Sequence, residues 1–88
     1  MIIDTSKSFD KHYKKRIKTN QKLYLRAKKR IALFGKNQQH FTLKDHGLTG
    51  GKKDLRAFSV TGDIRVIYKK IDNNHVILLD IGTHNQVY

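Results

Sequence analysis

Apolar residues near the N-terminus recur with the spacing of an amphipathic helix. Between residues 6 and 18 they fall four positions apart, which places them on one face of the helix. Either Ser6 or Ser8 is suited to cap its N-terminus. The residues on this face are Phe9, Tyr13 and Ile17.

A second helix follows the polar break "KTNQ" at residues 18–21. Asn20 is suited to cap its N-terminus, and Gly35 stands where a left-handed C-terminal cap belongs. Two amphipathic helices with a short joint predict a helical hairpin. The apolar face of the second helix consists of Leu23, Ala27, Ile31 and Phe34.

The second half of the chain has the alternation of apolar and polar residues that is typical of strands. Three strands are predicted at residues 55–60, 64–71 and 75–81. They are joined by "TGD" and "DNN", which are both hairpin turn signals. The run "ILL" within the last strand indicates a strand covered on both sides, which predicts a central position in the sheet.

Two further segments complete the predicted fold. The opening "MIID" is expected to form a short edge strand, and residues 36–54 are expected to form a long loop because they lack periodicity. The predicted order is β-α-α-β-β-β, an α+β fold in which an N-terminal helical hairpin packs on a curled antiparallel sheet. With 88 residues, we expect a single domain over residues 1–88.

The charge of the chain indicates a polyanionic partner. Nineteen Lys and Arg residues oppose seven Asp residues, and the formal net charge is +12. Residues 7–36 carry twelve of these cations against Asp10 alone. Such a block favours binding to nucleic acid, a ribosome or an acidic protein segment, although it is also compatible with a merely solvated helical face.

Composition also limits the classes of protein to consider. The chain has no cysteine, which excludes disulfides, thiolate nucleophiles and Cys-based zinc sites. No apolar run reaches the length of a membrane span, and no signal peptide fits, so we expect a cytoplasmic protein without membrane contact. The five histidines are scattered without ligand spacing, and we expect no metal and no cofactor.

Four side chains stand out as candidates for chemistry before any family is considered. His46 follows an Asp in the loop, and a histidine in that setting is also compatible with a purely structural role. Arg56 and Arg65 lie on neighbouring strands. If they share a face, they form a phosphate site; if they point to opposite faces or pair with Asp residues, they do not. His84 follows the central strand, where it is suited to transfer protons or to a structural role.

The segments "LKDHGLTGGKKDLRAF", "GDIRVIYK" and "LLDIGTHNQVY" resemble, in that order, toxins of bacterial toxin–antitoxin pairs. The resemblance is to the RelE/ParE superfamily and, within it, to the YafQ-like branch. It implies a microbial-RNase fold and metal-independent cleavage of mRNA in the ribosomal A site, by attack of the 2′-hydroxyl on its own phosphate. The positions that match the family's functional residues are His46, Asp63, His84, Tyr88, Arg65 and, approximately, Arg56.

The chain departs from the YafQ-like pattern at three positions. Ser59 replaces a histidine, Ile64 an aromatic residue, and Asp80 an arginine. We therefore assign phosphate neutralisation to Arg65 with Arg56 behind it. His84 is the main proton-transfer residue, more as acid than as base, and Tyr88 a platform on which a base stacks.

The same resemblance implies the partners. A chain with this charge is expected to be a monomer when free, to be neutralised by an acidic antitoxin in a larger complex, and to act on mRNA at the ribosome. The alternatives are a gyrase-inhibiting toxin of the ParE type and a basic nucleic-acid-binding module. The cations expected to contact RNA are Lys11, Lys14, Lys15, Lys18, Lys22, Arg26, Lys28, Lys29, Lys52 and Lys53.

Overall fold

The computed structural model describes residues 1–52 and 54–88, and its strands form one five-stranded sheet in the order β1-β5-β4-β3-β2. The α+β class and the packing of helices on a sheet are confirmed. The strands are β1 (Ile2–Thr5), β2 (His46–Gly47), β3 (Arg56–Ser59), β4 (Ile64–Asp72) and β5 (His75–Thr83). The helices are α1 (Lys7–His12), α2 (Gln21–Lys36) and α3 (His84–Val87).

Both predicted helices are present, and their N-termini are capped as expected. Ser6 caps α1, because its Oγ accepts a 3.0 Å hydrogen bond from the backbone N–H of Phe9. The same Oγ donates to the carbonyl of Leu79, which ties the start of α1 to β5. Asn20 caps α2 through a 3.1 Å bond from the N–H of Leu23. Between the two helices, Tyr13–Ile17 form one π-helical turn.

The predicted C-terminal cap at Gly35 is wrong. The helix α2 continues through Lys36, and Gly35 does not adopt a positive φ. A Cβ on Gly35 would lie 3.2 Å from Cδ1 of Ile3. Glycine at this position therefore allows the end of α2 to approach β1 closely.

The sheet differs from the prediction at both edges, by a parallel pairing at one and by an additional strand at the other. The strand β1 pairs with β5 in parallel, with Ile2 opposite His75, whereas β2, β3, β4 and β5 pair antiparallel in sequence. The expected loop contains the strand β2 and two 3₁₀ turns, Phe41–Leu43 and Gly50–Lys52. The prediction that β5 is interior is confirmed, because it lies between β1 and β4.

The core lies between α2 and one face of the sheet. Phe34 of α2 stacks on Phe58 of β3 with ring centroids 4.3 Å apart and meets the edge of Tyr68 of β4 at 4.8 Å. All three side chains are fully buried, and each contributes about 1.5 to 3 kcal/mol by leaving water. Since side chains alternate along a strand, Ala57 and Ser59 of β3 face away from α2. That second face of the sheet carries the site described next.

Within the described part of the chain, no helix has the length and hydropathy needed to cross a bilayer.

Candidate active site

A cleft of about 760 Å³ lies between the segment that follows β2 and the C-terminal helix α3. It brings together four residues predicted from the sequence to act on RNA, although they are far apart in the chain: His46, Lys52, His84 and Tyr88. Both histidine side chains are exposed. The cleft therefore places two imidazoles, an ammonium group and a phenol around one solvent-accessible space.

The strand β2 and an unusual backbone turn position His46. His46 pairs with Ala57 of β3, so its side chain lies on the face of the sheet away from α2. Two residues earlier, Lys44 adopts a left-handed conformation with φ of 50°, which is uncommon for a residue with a side chain. The carbonyl of Lys44 lies 2.9 Å from Nδ1 of His46. Because a carbonyl only accepts, Nδ1 carries the proton, and Nε2 of the neutral ring is left with a lone pair for the cleft.

A buried carboxylate anchors the segment that carries His46. The side chain of Asp45 is only 3% exposed. It accepts a 2.6 Å hydrogen bond from the hydroxyl of Tyr68 and a 3.1 Å bond from the guanidinium of Arg56. Gln38, in the turn that follows α2, donates to the same Tyr68 hydroxyl at 2.9 Å. This network ties the backbone next to His46 to β3, to β4 and to the turn that follows α2.

The pKa values of Tyr68 and Arg56, two members of this network, are both raised. Burial, followed by the hydrogen bond to Asp45, raises the pKa of Tyr68 to about 12. The hydrogen bond to Asp45 is also the main cause that raises the pKa of Arg56. Sequence reasoning identified His46 but missed Asp45 and Tyr68. The available signal was the Asp directly before His46, since an Asp in a buried turn needs donors of this kind.

The helix α3 positions His84 and Tyr88. The sequence predicted only a tail here, but Thr83 and Gln86 form a capping box that starts a helical turn at His84. The ring of Tyr88 meets the ring of His84 edge to face, with centroids 4.4 Å apart. Nζ of Lys52 donates a 3.1 Å bond to the main-chain oxygen of Tyr88 and lies 6.0 Å from the centroid of its ring. The two sides of the cleft are thus linked directly.

The two strand arginines do not converge, so the interpretation in which they share a face is wrong. Arg56 is opposite Tyr68 and Arg65 is opposite Ser59 in the antiparallel pairing of β3 and β4. Residues 56 and 59 are an odd number of positions apart, and their side chains therefore point to opposite faces. Arg56 is engaged by Asp45, whereas Arg65 donates a 2.9 Å bond to Oγ of Ser59.

The remaining predicted residues lie outside the cleft. Asp63 is exposed in the turn between β3 and β4, where its N–H bonds to Oγ1 of Thr61. Asp80, which stands in the place of a family arginine, pairs with Nδ1 of His12 at 2.6 Å and lies 3.5 Å from the guanidinium of Arg16. Arg16 also donates to the carbonyl of Ile81 at 3.0 Å. Asp80 therefore fastens α1 and the π-helical turn to β5.

The cations predicted to contact RNA from the helices are all exposed. Two of them lie near aromatic rings: Nζ of Lys18 is 5.8 Å from the ring of Tyr13, and Nζ of Lys28 is 5.3 Å from that of Tyr24. Lys53 lies outside the described residues. Across the described residues, no group of three or more His or Asp side chains is arranged to hold a metal ion.

The chemistry available in the cleft is proton transfer beside a phosphate. An imidazole can take a proton or give one near neutral pH, and an ammonium group can stabilise negative charge. A phenol ring at the rim offers a surface for base stacking. This combination is suited to transesterification of RNA.

The chain is similar to known proteins over its whole length. A family model described as "Bacterial toxin of type II toxin-antitoxin system, YafQ" matches residues 1–88. No curated protein sequence matches the chain significantly.

Three solved structures are similar over nearly the whole chain. A metal-bound toxin from Helicobacter pylori is 30% identical with a TM-score of 0.77, covering 100% of this chain and 99% of that chain. The E. coli DinJ-YafQ toxin-antitoxin complex contains a chain that is 26% identical with a TM-score of 0.74, covering 98% and 94% respectively. A YoeB/ParE toxin from Agrobacterium tumefaciens has a TM-score of 0.78 over 96% of this chain and 99% of that chain, but at 14% identity it supports the fold alone.

Proposed function

The chain belongs to the YafQ family of toxins of bacterial type II toxin–antitoxin systems, and from this premise we propose that it is a ribosome-dependent, metal-independent mRNA endoribonuclease. The observation that carries the proposal is the cleft that unites His46, Lys52, His84 and Tyr88. In the reaction, the 2′-hydroxyl of the RNA attacks the adjacent phosphorus, and the bond to the 5′-oxygen breaks. The products are a 2′,3′-cyclic phosphate and a 5′-hydroxyl.

His46 is the proposed general base. Its Nδ1 is bound to the carbonyl of Lys44, and its Nε2 is therefore free to accept the proton of the 2′-hydroxyl. Asp45 and Tyr68 act as positioning residues, because they hold the adjacent backbone through buried hydrogen bonds. Arg56 belongs to the same group, since its guanidinium completes the partners of Asp45.

His84 is the proposed general acid, which gives a proton to the departing 5′-oxygen. Its place at the first position of α3 and its edge contact with Tyr88 direct the ring into the cleft. Lys52 supplies positive charge near the phosphate, a role first assigned to Arg65, because Lys52 lines this cleft and Arg65 does not. Tyr88 offers its ring to a neighbouring base. Asp63, which the resemblance matched to a functional residue of the family, lies outside this cleft, and we assign it no step in the reaction.

The partners follow from the family and the charge. The E. coli YafQ structure is a complex with DinJ as antitoxin, and we propose that an acidic antitoxin likewise neutralises this chain. The net charge of +12 favours such a partner and favours binding to ribosomal RNA through the helix cations. Since ribosome-bound mRNA is the proposed substrate, the cytoplasm is the proposed site of action.

Sequencing of RNA 5′-hydroxyl ends after brief expression tests the proposal. We expect new ends within translated codons and no new ends in untranslated RNA. Arrest of growth with DNA breaks but without new RNA ends would instead support gyrase inhibition and would contradict the proposed activity.

A further inference from the structure

A second cleft, of about 300 Å³, lies at the edge of β3 between α2 and the turn at residues 61–63. Four cations line it: Arg26 and Arg30 of α2, Lys44, and Arg65 of β4. Among the described residues that line it, none is acidic. Four positive charges around one concavity repel each other, and an anion in the cleft would relieve that repulsion.

Hydrogen bonds to neighbouring residues hold two of the four cations of this cleft. Arg30 donates a 2.9 Å hydrogen bond to the carbonyl of Thr42, which joins α2 to the 3₁₀ turn. Arg65 is held by Oγ of Ser59, a side chain in a residue that is only 5% exposed. Lys44 is oriented by its left-handed backbone, a conformation that costs energy for a residue with a Cβ. Arg30 and Arg65 are therefore held in place before any ligand binds.

An aromatic ring stands at the rim of the same cleft. Phe41 is 82% exposed, and its ring stacks on that of His40 with centroids 4.9 Å apart and planes 20° apart. The contact with His40 supports one face of the ring. An exposed ring beside a cationic cleft is the arrangement in which a nucleotide base stacks while its phosphate is bound by arginine.

The second cleft is adjacent to the first along the direction of β3. His46 is opposite Ala57, and Arg65 is opposite Ser59 two residues further along β3, so both side chains lie on the same face. Two residues of a strand span about 6.5 Å. Lys44 lines the second cleft, and His46, two residues later, lines the first. One unstacked nucleotide can bridge this distance.

We propose that the cleft of Arg26, Arg30, Lys44 and Arg65 binds the phosphate of the nucleotide next to the cleavage site, and that Phe41 stacks on its base. The proposal rests on the proposed function for the identity of the strand. An acidic peptide would also neutralise these charges, but its binding would not require the ring of Phe41 or the alignment of the cleft with His46. A single RNA strand would interact with the cations, stack on the ring of Phe41 and continue to His46.

Binding of a 5′-phosphorylated dinucleotide of 2′-deoxyribonucleotides tests the proposal. This probe lacks the attacking 2′-hydroxyl, so its binding is measured independently of cleavage. In NMR titrations of the full chain we expect the largest shift changes at Phe41, Thr42 and Gly62. Phe41→Ala should weaken binding about tenfold, as expected for loss of one stacked base, whereas Phe41→Tyr should bind like the wild type.

Two further variants distinguish the effect of one cation of the cleft on binding from the effect of the net charge of the chain. Arg26→Gln should weaken binding and lower the slope of log affinity against log salt by about 0.7, the value for one phosphate contact on a single strand. Lys70→Gln removes the same charge from an exposed position on β4 that does not line the cleft, and it should leave both quantities unchanged.

The outcomes distinguish this proposal from the proposed function. Wild-type protein that cleaves mRNA, with Phe41→Ala and Arg26→Gln variants that bind the probe like the wild type, overturns the subsite and leaves the nuclease intact. Protein that does not cleave but shows the expected pattern of binding supports the nucleotide site and contradicts the nuclease. Binding of hexa-aspartate with the same dependence on Phe41, and of the dinucleotide without it, overturns the proposal in favour of an acidic peptide.

Discussion

The hydroxyl of Tyr68 donates a 2.6 Å hydrogen bond to the carboxylate of Asp45, the residue directly before His46. This contact crosses 23 residues of chain and connects the buried side of β4 to the segment that carries the proposed base. An unpaired carboxylate in this position would be costly, because the side chain of Asp45 has almost no contact with water. Stability and the placement of His46 therefore depend on the same bond.

The pH dependence of stability should reveal this bond. The pKa of Tyr68 is raised to about 12 in the fold, above the value near 10 for an unfolded tyrosine. The stabilisation is therefore complete below pH 10 and is lost as the pH rises from 10 to 12, by at most about 1.4 kcal/mol per pH unit. Denaturant unfolding of wild type and Tyr68→Phe between pH 8 and 11 should show a difference that narrows above pH 10. A difference that stays constant would contradict the raised pKa.

Gly82→Ala should impair both cleavage and stability, because the added Cβ would also lie 2.8 Å from Nη1 of Arg16, which donates to the carbonyl of Ile81. A Cβ at this position would lie 2.6 Å from Oε1 of Gln86, the atom that accepts from the N–H of Thr83 in the capping box. Displacement of Gln86 loosens the start of α3, and we expect cleavage to fall about tenfold through misplacement of His84. Loss of the cap should cost about 1 kcal/mol of unfolding free energy.

Gly35→Ala is the matched control for this substitution, because its added Cβ would meet only Cδ1 of Ile3, at 3.2 Å, and Gly35 lines neither cleft. Cleavage rates and thermal melts of both variants test the prediction. Equal activity of the two variants would show that α3 tolerates the displacement.

The local elements could be predicted from the sequence, because helices and strands have their own periodicities. Three local predictions were also correct because each depends on residues that are close together in the sequence: the caps at Ser6 and Asn20 and the hairpin turn at 61–63. The parallel pairing of β1 with β5 could not be predicted, since it depends on contacts across more than seventy residues. The continuation of α2 beyond Gly35 could not be predicted either, since it depends on the close approach of the helix to Ile3.

The candidate site was predictable in part. The sequence identified His46, His84 and Tyr88, and the structure places them in one cleft. The sequence was also sufficient to predict that Arg56 and Arg65 point to opposite faces of the sheet. A turn centred on Gly62 places Arg65 opposite Ser59, and Ser59 is an odd number of residues from Arg56 along β3. The partners of Asp45 could not be predicted from the sequence, since they come from β3 and β4.

The exposed helix cations should determine how ribosome binding depends on salt. A variant with Lys14, Lys15 and Lys18 changed to Gln should lower the log–log slope by about 2 to 3, at roughly 0.7 to 0.9 per phosphate contact. A variant with Lys36, Lys69 and Lys70 changed to Gln loses the same charge and is the control. Ribosome sedimentation at several potassium chloride concentrations measures both slopes. Equal slopes would remove the π-helical turn and Lys18, which follows it, from the RNA-binding surface.

Co-expression with the product of the neighbouring open reading frame should restore growth. The chain carries a net charge of +12, so we expect that product to be acidic and partly disordered before binding. Co-purification of the two proteins, with a loss of affinity at high salt, is the measurement. If no neighbouring product binds this chain, its assignment to a two-gene module is contradicted.

Cleavage of ribosome-bound mRNA by the His84→Ala variant tests the proposed active site most directly. The matched control is His75→Ala at the other end of β5, about 30 Å away, where the ring contacts only Asp4 among its described hydrogen-bond partners. We predict that His84→Ala lowers the cleavage rate by about 10² to 10⁴ while its thermal melt matches the wild type, because the side chain is exposed. His75→Ala should cleave at the wild-type rate. Full cleavage by His84→Ala, or loss of cleavage together with a collapsed melt, would contradict the role of His84 as general acid.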